Sequence, residues 1–355
     1  MSTKNAKTSR PTFHASSLCN CNMSKMSLNP LHLPEIIPLV GDFLYEKDLL
    51  NCVRVSKTFH NAFIGLLYRR ITVEPSSRYP SGEALQKHKK HIEEILFQNV
   101  FPEEYTILQG CARLQSINYW SQFQDEDMAA LLRRITELNR LISRYCKFGQ
   151  LSLQELLAGE QEVLDSGQMV RKTRVRRLCE TVEALAFRTD NSGITQAILS
   201  NCPRLRTMEG SKITVTEIVN GAEWVSTELT SLVLDLEADV DQETEEGMAK
   251  ARIAFRQLGR LTQLNSLAIA AGCQPNGRRT LDLRLRTGLD ELANLKSLKV
   301  LMFGYGYLQR IELQDAVWIV DNWPSMRYLY GRLEVPMGVD TSVYDFLKSH
   351  NISIS

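Results

Sequence analysis

Long apolar runs are missing from this sequence. Nothing in its 355 residues approaches the roughly 18 consecutive apolar residues of a membrane span, and residues 1–28 lack the compact apolar core of a signal peptide. An excess of charge of either sign is missing too. The 42 basic and 41 acidic residues leave a formal charge of +1, so no global field draws the chain to nucleic acid or to an anionic membrane. Paired cysteines are lacking. Eight are scattered at Cys19, Cys21, Cys52, Cys111, Cys146, Cys179, Cys202 and Cys273, and the one close pair, Cys19 and Cys21, has a spacing that no structural zinc site favours. Reduced thiols in a cytoplasmic or nuclear protein are the expectation.

Signatures of catalysis are equally scarce. The sequence has no G-x-x-x-x-G-K-S/T or G-x-G-x-x-G phosphate loop and no G-x-S-x-G elbow. Gly304-Tyr305-Gly306 lacks the remaining glycine of a nucleotide loop. His88 and His91 stand at i, i+3 within Lys87-His88-Lys89-Lys90-His91, where positive neighbours repel a divalent cation and no third ligand is evident. No cysteine has a histidine and an acid at an interpretable spacing. A protein with no enzymatic activity, metal or cofactor is expected.

What is present begins near Asn29-Pro30, after a polar leader over 1–28 that is expected to be disordered. Pro34 suits a helix start, where its missing N–H costs little. Ile36, Ile37, Val40 and Leu44 follow at helical spacing. Asp48 is placed to cap a second helix holding Leu49, Leu50, Cys52 and Val53, and Ser56 to cap a third holding Phe59, Phe63 and Leu66. A three-helix unit over 29–73 is too small to bury all these groups within itself. Either the rest of the chain covers the surplus or a second protein does.

Three blocks in this unit, Leu33-Pro34-Glu35-Ile36, Lys47-Asp48-Leu49-Leu50 and Val53-Arg54-Val55-Ser56-Lys57, resemble in order and spacing the F-box, the motif that docks onto the SKP-type adaptor of cullin ligases. The resemblance implies that Leu33, Pro34, Ile37, Val40, Leu44, Leu49 and Val53 face that adaptor. Two positions depart from the family. Phe59 stands where tryptophan is usual, and Pro38 falls inside the first helix, where a proline can cost about 3 kcal/mol. Either the helix starts at Pro38 or the adaptor is held less tightly.

From residue 74 to 355 the sequence repeats. A pattern L-x-x-L-x-L, with L any large apolar residue, starts at Ile92, Leu114, Val182, Leu229, Leu264 and Leu298, with degenerate copies at Leu138, Leu205 and Met326. Successive steps are 22, 24, 44, 23, 24, 35, 34 and 28 residues, and the step of 44 leaves room for a hidden unit. Each copy alternates as a strand should. Helical stretches lie between copies, at Asp125 to Leu138, Gly247 to Leu258 and Leu313 to Trp323. Strand, turn and helix in series predict an α/β chain in which a leucine-rich-repeat solenoid, a horseshoe of short parallel strands and helices, follows the F-box. An ordinary α/β fold is the alternative. Asn201-Cys202-Pro203-Arg204-Leu205 and Asn322-Trp323-Pro324-Ser325-Met326 are similar to repeat junctions of F-box proteins, and Asp315 to Leu333 to the ends of fungal members of that group.

The strand positions that should point away from the core are Asn118, Ala186, Glu209, Val233, Ala268, Val300, Met302, Tyr328 and Tyr330. Of these Val233, Val300, Met302, Tyr328 and Tyr330 have the apolar and aromatic character of a binding surface for a client protein, unless loops or the tail cover the tyrosines. A basic cluster, Arg171 to Arg177, could meet a phosphate or an acidic peptide, since arginine forks match such groups; the favoured reading of it and of an acidic cluster, Glu237 to Glu246, is a solvated face. The resemblance implies the substrate-recognition subunit of an SCF-type ubiquitin ligase, binding the adaptor, through it a cullin, and a client. The rival is a repeat scaffold or inhibitor whose N-terminal helices cap the solenoid.

Overall fold

One backbone carbonyl per repeat sets the architecture. Arg69 O accepts the N–H groups of Glu93 and Glu94, Glu93 O those of Gln115 and Ser116, and Gln115 O those of Asn139 and Arg140. The series continues through the carbonyls of Asn139, Glu183, Arg206, Thr230, Asn265 and Lys299, and Arg327 O accepts from Ser353. Each acceptor sits just before a strand, so the strands that follow run parallel and in register. This computed structural model describes residues 36–76, 79–100, 102, 105, 111, 113–119, 124–135, 138–159, 161–165, 168–172, 177–189, 191–270, 280–333 and 342–355. The leader over 1–28, with Leu33 and Pro34, lies outside them. The chain divides into two compact units, Met1–Phe63 and Ile64–Ser355.

The N-terminal unit holds α1 (Ile36–Gly41), α2 (Glu46–Cys52) and, as far as Phe63, α3 (Lys57–Leu67). Pro38 is the third residue of α1. In a first turn the backbone N–H has no intrahelical acceptor, so the expected cost of an internal proline does not arise. Asp48 does not cap α2. Tyr45 takes the cap position with extended backbone and no side-chain bond, and its carbonyl receives the N–H groups of Asp48 and Leu49. The helix therefore starts earlier than expected, with Glu46 and Asp48 in its first turn, where negative charge suits the helix dipole. Ser56 does cap α3, its hydroxyl accepting from Phe59 N at 3.2 Å.

The second unit continues with β1 (Arg70–Val73), α4 (Gly82–His88), β2 (Glu94–Phe97), β3 (Ser116–Tyr119), α5 (Asp125–Arg134), β4 (Arg140–Lys147) and α6 (Gln150–Leu157). A hairpin of β5 (Gln161–Asp165) and β6 (Gln168–Lys172) precedes β7 (Ala184–Arg188), α7 (Ser192–Leu199), β8 (Thr207–Thr214), α8 (Val215–Asn220), β9 (Ser231–Glu237) and α9 (Glu245–Gly259). The chain closes with β10 (Ser266–Ala268), β11 (Val300–Gln309), α10 (Leu313–Asn322), β12 (Tyr328–Leu333), α11 (Ser342–Ser349) and β13 (Ser353–Ile354). Eleven of these strands form one open sheet in the order β1-β2-β3-β4-β7-β8-β9-β10-β11-β12-β13. Every pairing in it is parallel, the form of a leucine-rich-repeat solenoid.

The central apolar residue of each motif forms a continuous row through the core. Ile71, Ile95, Ile117, Leu141, Leu185, Met208, Leu232, Leu267, Leu301 and Leu329 stand in register and are all buried. Each such side chain contributes about 1.5–3 kcal/mol by leaving water. All nine motif copies read from the sequence coincide with strands of this sheet. Two further strands went unread. β1 lies in the segment assigned to the helical module and belongs instead to the sheet, and β13 is two residues long. The long step after Leu138 hides no repeat. β4 pairs directly with β7, and the antiparallel hairpin β5–β6 fills the interval.

Between strands, side chains close the helices. Asn201 and Asn322, in the two junctions singled out in the sequence, each donate Nδ2 to the carbonyl four residues earlier, Ala197 and Trp318. Neighbouring repeats also cap one another. The Asp125 carboxylate at the start of α5 accepts from Gly149 N, Leu151 N and Ser152 N, and from the Ser152 hydroxyl, at the start of α6. Gly331 has φ +146°, and a Cβ there would collide with the Phe303 ring, so β11 and β12 approach closely only with glycine.

Candidate functional site

Two surfaces stand out, and in each the local backbone decides which side chains reach solvent. In the N-terminal unit, α1 and its following turn, α2 and the α2–α3 turn expose Leu39 (60%), Val40 (39%), Phe43 (87%), Tyr45 (82%), Leu50 (39%) and Val55 (69%). Ile37, Leu49 and Phe63 are buried, and Phe59 stacks on Phe63 with ring centroids 5.6 Å apart. Of the residues expected to face an adaptor, Val40 is exposed and Leu44 and Val53 are half-buried. Ile37 and Leu49 are turned away from solvent. Leu39, Phe43, Tyr45, Leu50 and Val55 were not among the residues expected to face an adaptor. Their signal was there: apolar residues outside the i, i+3, i+4 stripe have no place in a small unit's own core.

On the solvent side of the sheet, alternation along each strand presents two rows. One runs through Val300 and Tyr328, the other through Val233, Ala268, Met302 and Tyr330. Tyr328 is 45% exposed, and Val233, Val300, Met302 and Tyr330 are half-buried. The Tyr328 and Tyr330 rings stack at 5.8 Å with 10° between planes. The tail strand β13 pairs with β12 and still leaves Tyr328 open. Ala186 and Ala268, expected to point outward, are buried because a methyl group does not clear its larger neighbours. Asn118 is committed to Glu94, donating at 2.7 Å, and Glu209 is half-buried.

The Cys111 thiol is pushed up to about 11 by burial, and burial raises Cys179 and Cys202 as well, so little nucleophilic thiolate exists at neutral pH. His88 stacks on Tyr68 at 4.3 Å, and desolvation, then Lys90 and Arg113, hold His91 below its ordinary value. Among the described residues no three of His, Cys, Asp and Glu are gathered as metal ligands. The acidic cluster is more than a solvated face. Glu237 pairs with Lys212, Glu246 with Lys250, and Glu243 with Arg284 and Arg286. Asp239 accepts from Thr216 N at 3.0 Å. Arg171 and Lys172 lie in β6, and 173–176 fall outside the described residues.

No helix of the described residues is long and apolar enough to cross a membrane. No family model matches the chain, and no curated protein does. Among solved structures it is similar to the leucine-rich repeat-containing protein LegL7 from Legionella pneumophila, with 11% identity over 79% of this chain and 97% of that one and a TM-score of 0.30.

Proposed function

We propose that this chain is a non-catalytic substrate-recognition subunit of an SCF-type cullin ubiquitin ligase. Its N-terminal helices hold the SKP-type adaptor and its repeat sheet holds a client protein. The observation that carries this reading is the density of exposed apolar side chains between Leu39 and Val55, since a patch of that kind on a soluble protein marks an interaction site. The F-box resemblance supplies the identity of the partner. In this role the protein forms and breaks no bond. It raises the effective concentration of a client lysine near a charged ubiquitin-conjugating enzyme, and the rate gain is that of proximity.

Co-purification of the tagged full chain with the adaptor tests the reading, with wild type compared against Leu39→Ser/Phe43→Ser and against Leu33→Ala/Pro34→Ala. Adaptor retained by the wild type and lost from both folded variants is the expected result. A soluble wild type that retains no adaptor sinks the ligase role and leaves the repeat scaffold in its place.

A further inference from the structure

Several cations along the sheet are matched from within, although Arg140 in β4 and Arg188 in β7 are exposed and have no ion pair among the described residues. Toward the N-terminal edge three are paired. Arg70 lies 3.4 Å from Glu94, and Arg69 and Arg113 share Glu93. Midway, Arg204 and Arg206 share Glu183, and Arg206 also reaches Glu228. Over β11 and β12 this matching stops. Lys299 and Arg327 are exposed just before the two strands, and Arg332 is exposed near the end of β12. None of the three pairs with a carboxylate of the described residues, and Arg327 donates only to the neighbouring Met326 carbonyl.

Between these cations lies the apolar surface already described. The stacked tyrosines of β12 flank Val300 and Met302 of β11, and Leu308, 62% exposed, stands in register with Arg332. The two solvent-facing rows carry no carboxylate anywhere in β10, β11 or β12. Aromatic pairs give contact area at little cost in side-chain freedom, and arginine forks match carboxylates. From residue 328 to 332 an extended strand spans about 13 Å, so a short extended segment with acids at both ends fits between Arg327 and Arg332.

We propose that the solvent face of β11 and β12 binds an acidic peptide segment of a partner protein, its carboxylates meeting Lys299, Arg327 and Arg332 and an apolar side chain resting on Tyr328 and Tyr330. This deepens the client-binding half of the reading above and is independent of the adaptor half. A peptide is favoured over nucleic acid because three of the five apolar side chains, Val300, Met302 and Leu308, are not aromatic and offer a base no stacking.

Fluorescence anisotropy of the full chain is the test, with a labelled peptide of aspartates and glutamates around a central leucine–phenylalanine pair. Saturable binding that weakens with salt is expected, reduced about tenfold by Lys299→Glu/Arg327→Glu. Arg332→Glu and Tyr328→Ala should each weaken it further when added. The same peptide with asparagine and glutamine in place of its acids should bind no better to wild type than to the reversed variant. Absence of saturable binding, equal binding by wild type and a folded charge-reversed variant, or tighter binding of single-stranded oligothymidine overturns the proposal. The reversed variant should still co-purify with the adaptor as wild type does. Failure of adaptor binding by the wild type therefore counts against the ligase role and leaves this surface standing.

Discussion

The unit ending at Phe63 and the one beginning at Ile64 handle apolar surface in opposite ways. Between residues 36 and 63 six large apolar side chains are exposed and three are buried. Among the described residues of the far longer second unit six are exposed as well, Leu151, Leu308 and Tyr328 among them, while an unbroken row through the sheet is buried. A repeat covers its neighbour's apolar face as the chain stacks, so the surplus left by one strand is removed by the next. Three short helices are not stacked repeats, and six large apolar side chains of their segment stay exposed. Apolar content is similar in kind; what differs is whether the topology supplies a cover.

Substitutions can break this comparison. The largest effect is expected within the inward row, where Leu232→Ala should cost about 2–5 kcal/mol in chemical denaturation. Leu39→Ser/Phe43→Ser should leave stability nearly unchanged and lower the fluorescence of a bound hydrophobic dye. If the helical variant were as destabilised as the sheet variant, the exposed patch would have to be core.

Next is the cap between repeats. Burial alone raises the Asp125 carboxyl, but the Ser152 hydroxyl and the amides of Leu151, Ser152 and Gly149 outweigh it and hold the group below its ordinary value. Its contribution is therefore complete above the unfolded value of about 4 and is lost as pH falls through the lowered folded value. Asp125→Ala should cost about 1–3 kcal/mol at neutral pH and flatten the acid limb of a stability–pH curve.

A smaller effect of opposite sign is expected at Ser143. Its hydroxyl is buried without a hydrogen-bond partner among the described residues, in the row that Phe97, Tyr119 and Phe187 fill in neighbouring strands. Ser143→Ala should raise the denaturation midpoint, by about 1 kcal/mol of stability. Smallest of all is the Arg70–Glu94 pair, at 76% and 31% side-chain exposure. Arg70→Gln, which leaves the Glu94–Asn118 bond in place, should change stability by less than about 0.5 kcal/mol, less still at high salt.

Much of the sheet was legible beforehand because its signal is repeated. Nine copies of one pattern reinforce one another, and helices expected at Asp125, Gly247 and Leu313 appear as α5, α9 and α10. The readings that failed were single local decisions. Asp48 lies three residues past the true cap of its helix, Tyr45, and β1 was absorbed by the module before it. A cap residue identifies a helix start only when the backbone around it is extended, and that is settled by neighbouring bonds such as those received by Tyr45 O.

The sequence by itself determined the repeat, the parallel strands and the apolar identity of the inward row, because burial at each motif position needs only a large apolar side chain and the right spacing. Tertiary structure alone decided which of the remaining residues are surface. Ile37 and Phe43 are alike in hydrophobicity, yet one is buried and the other 87% exposed. Arg70 and Arg327 precede or open equivalent strands, yet only Arg70 has a carboxylate in the next strand. The physical reason is the same in both cases: exposure and ion pairing belong to pairs of residues brought together by stacking, and the linear order of a chain does not contain those distances.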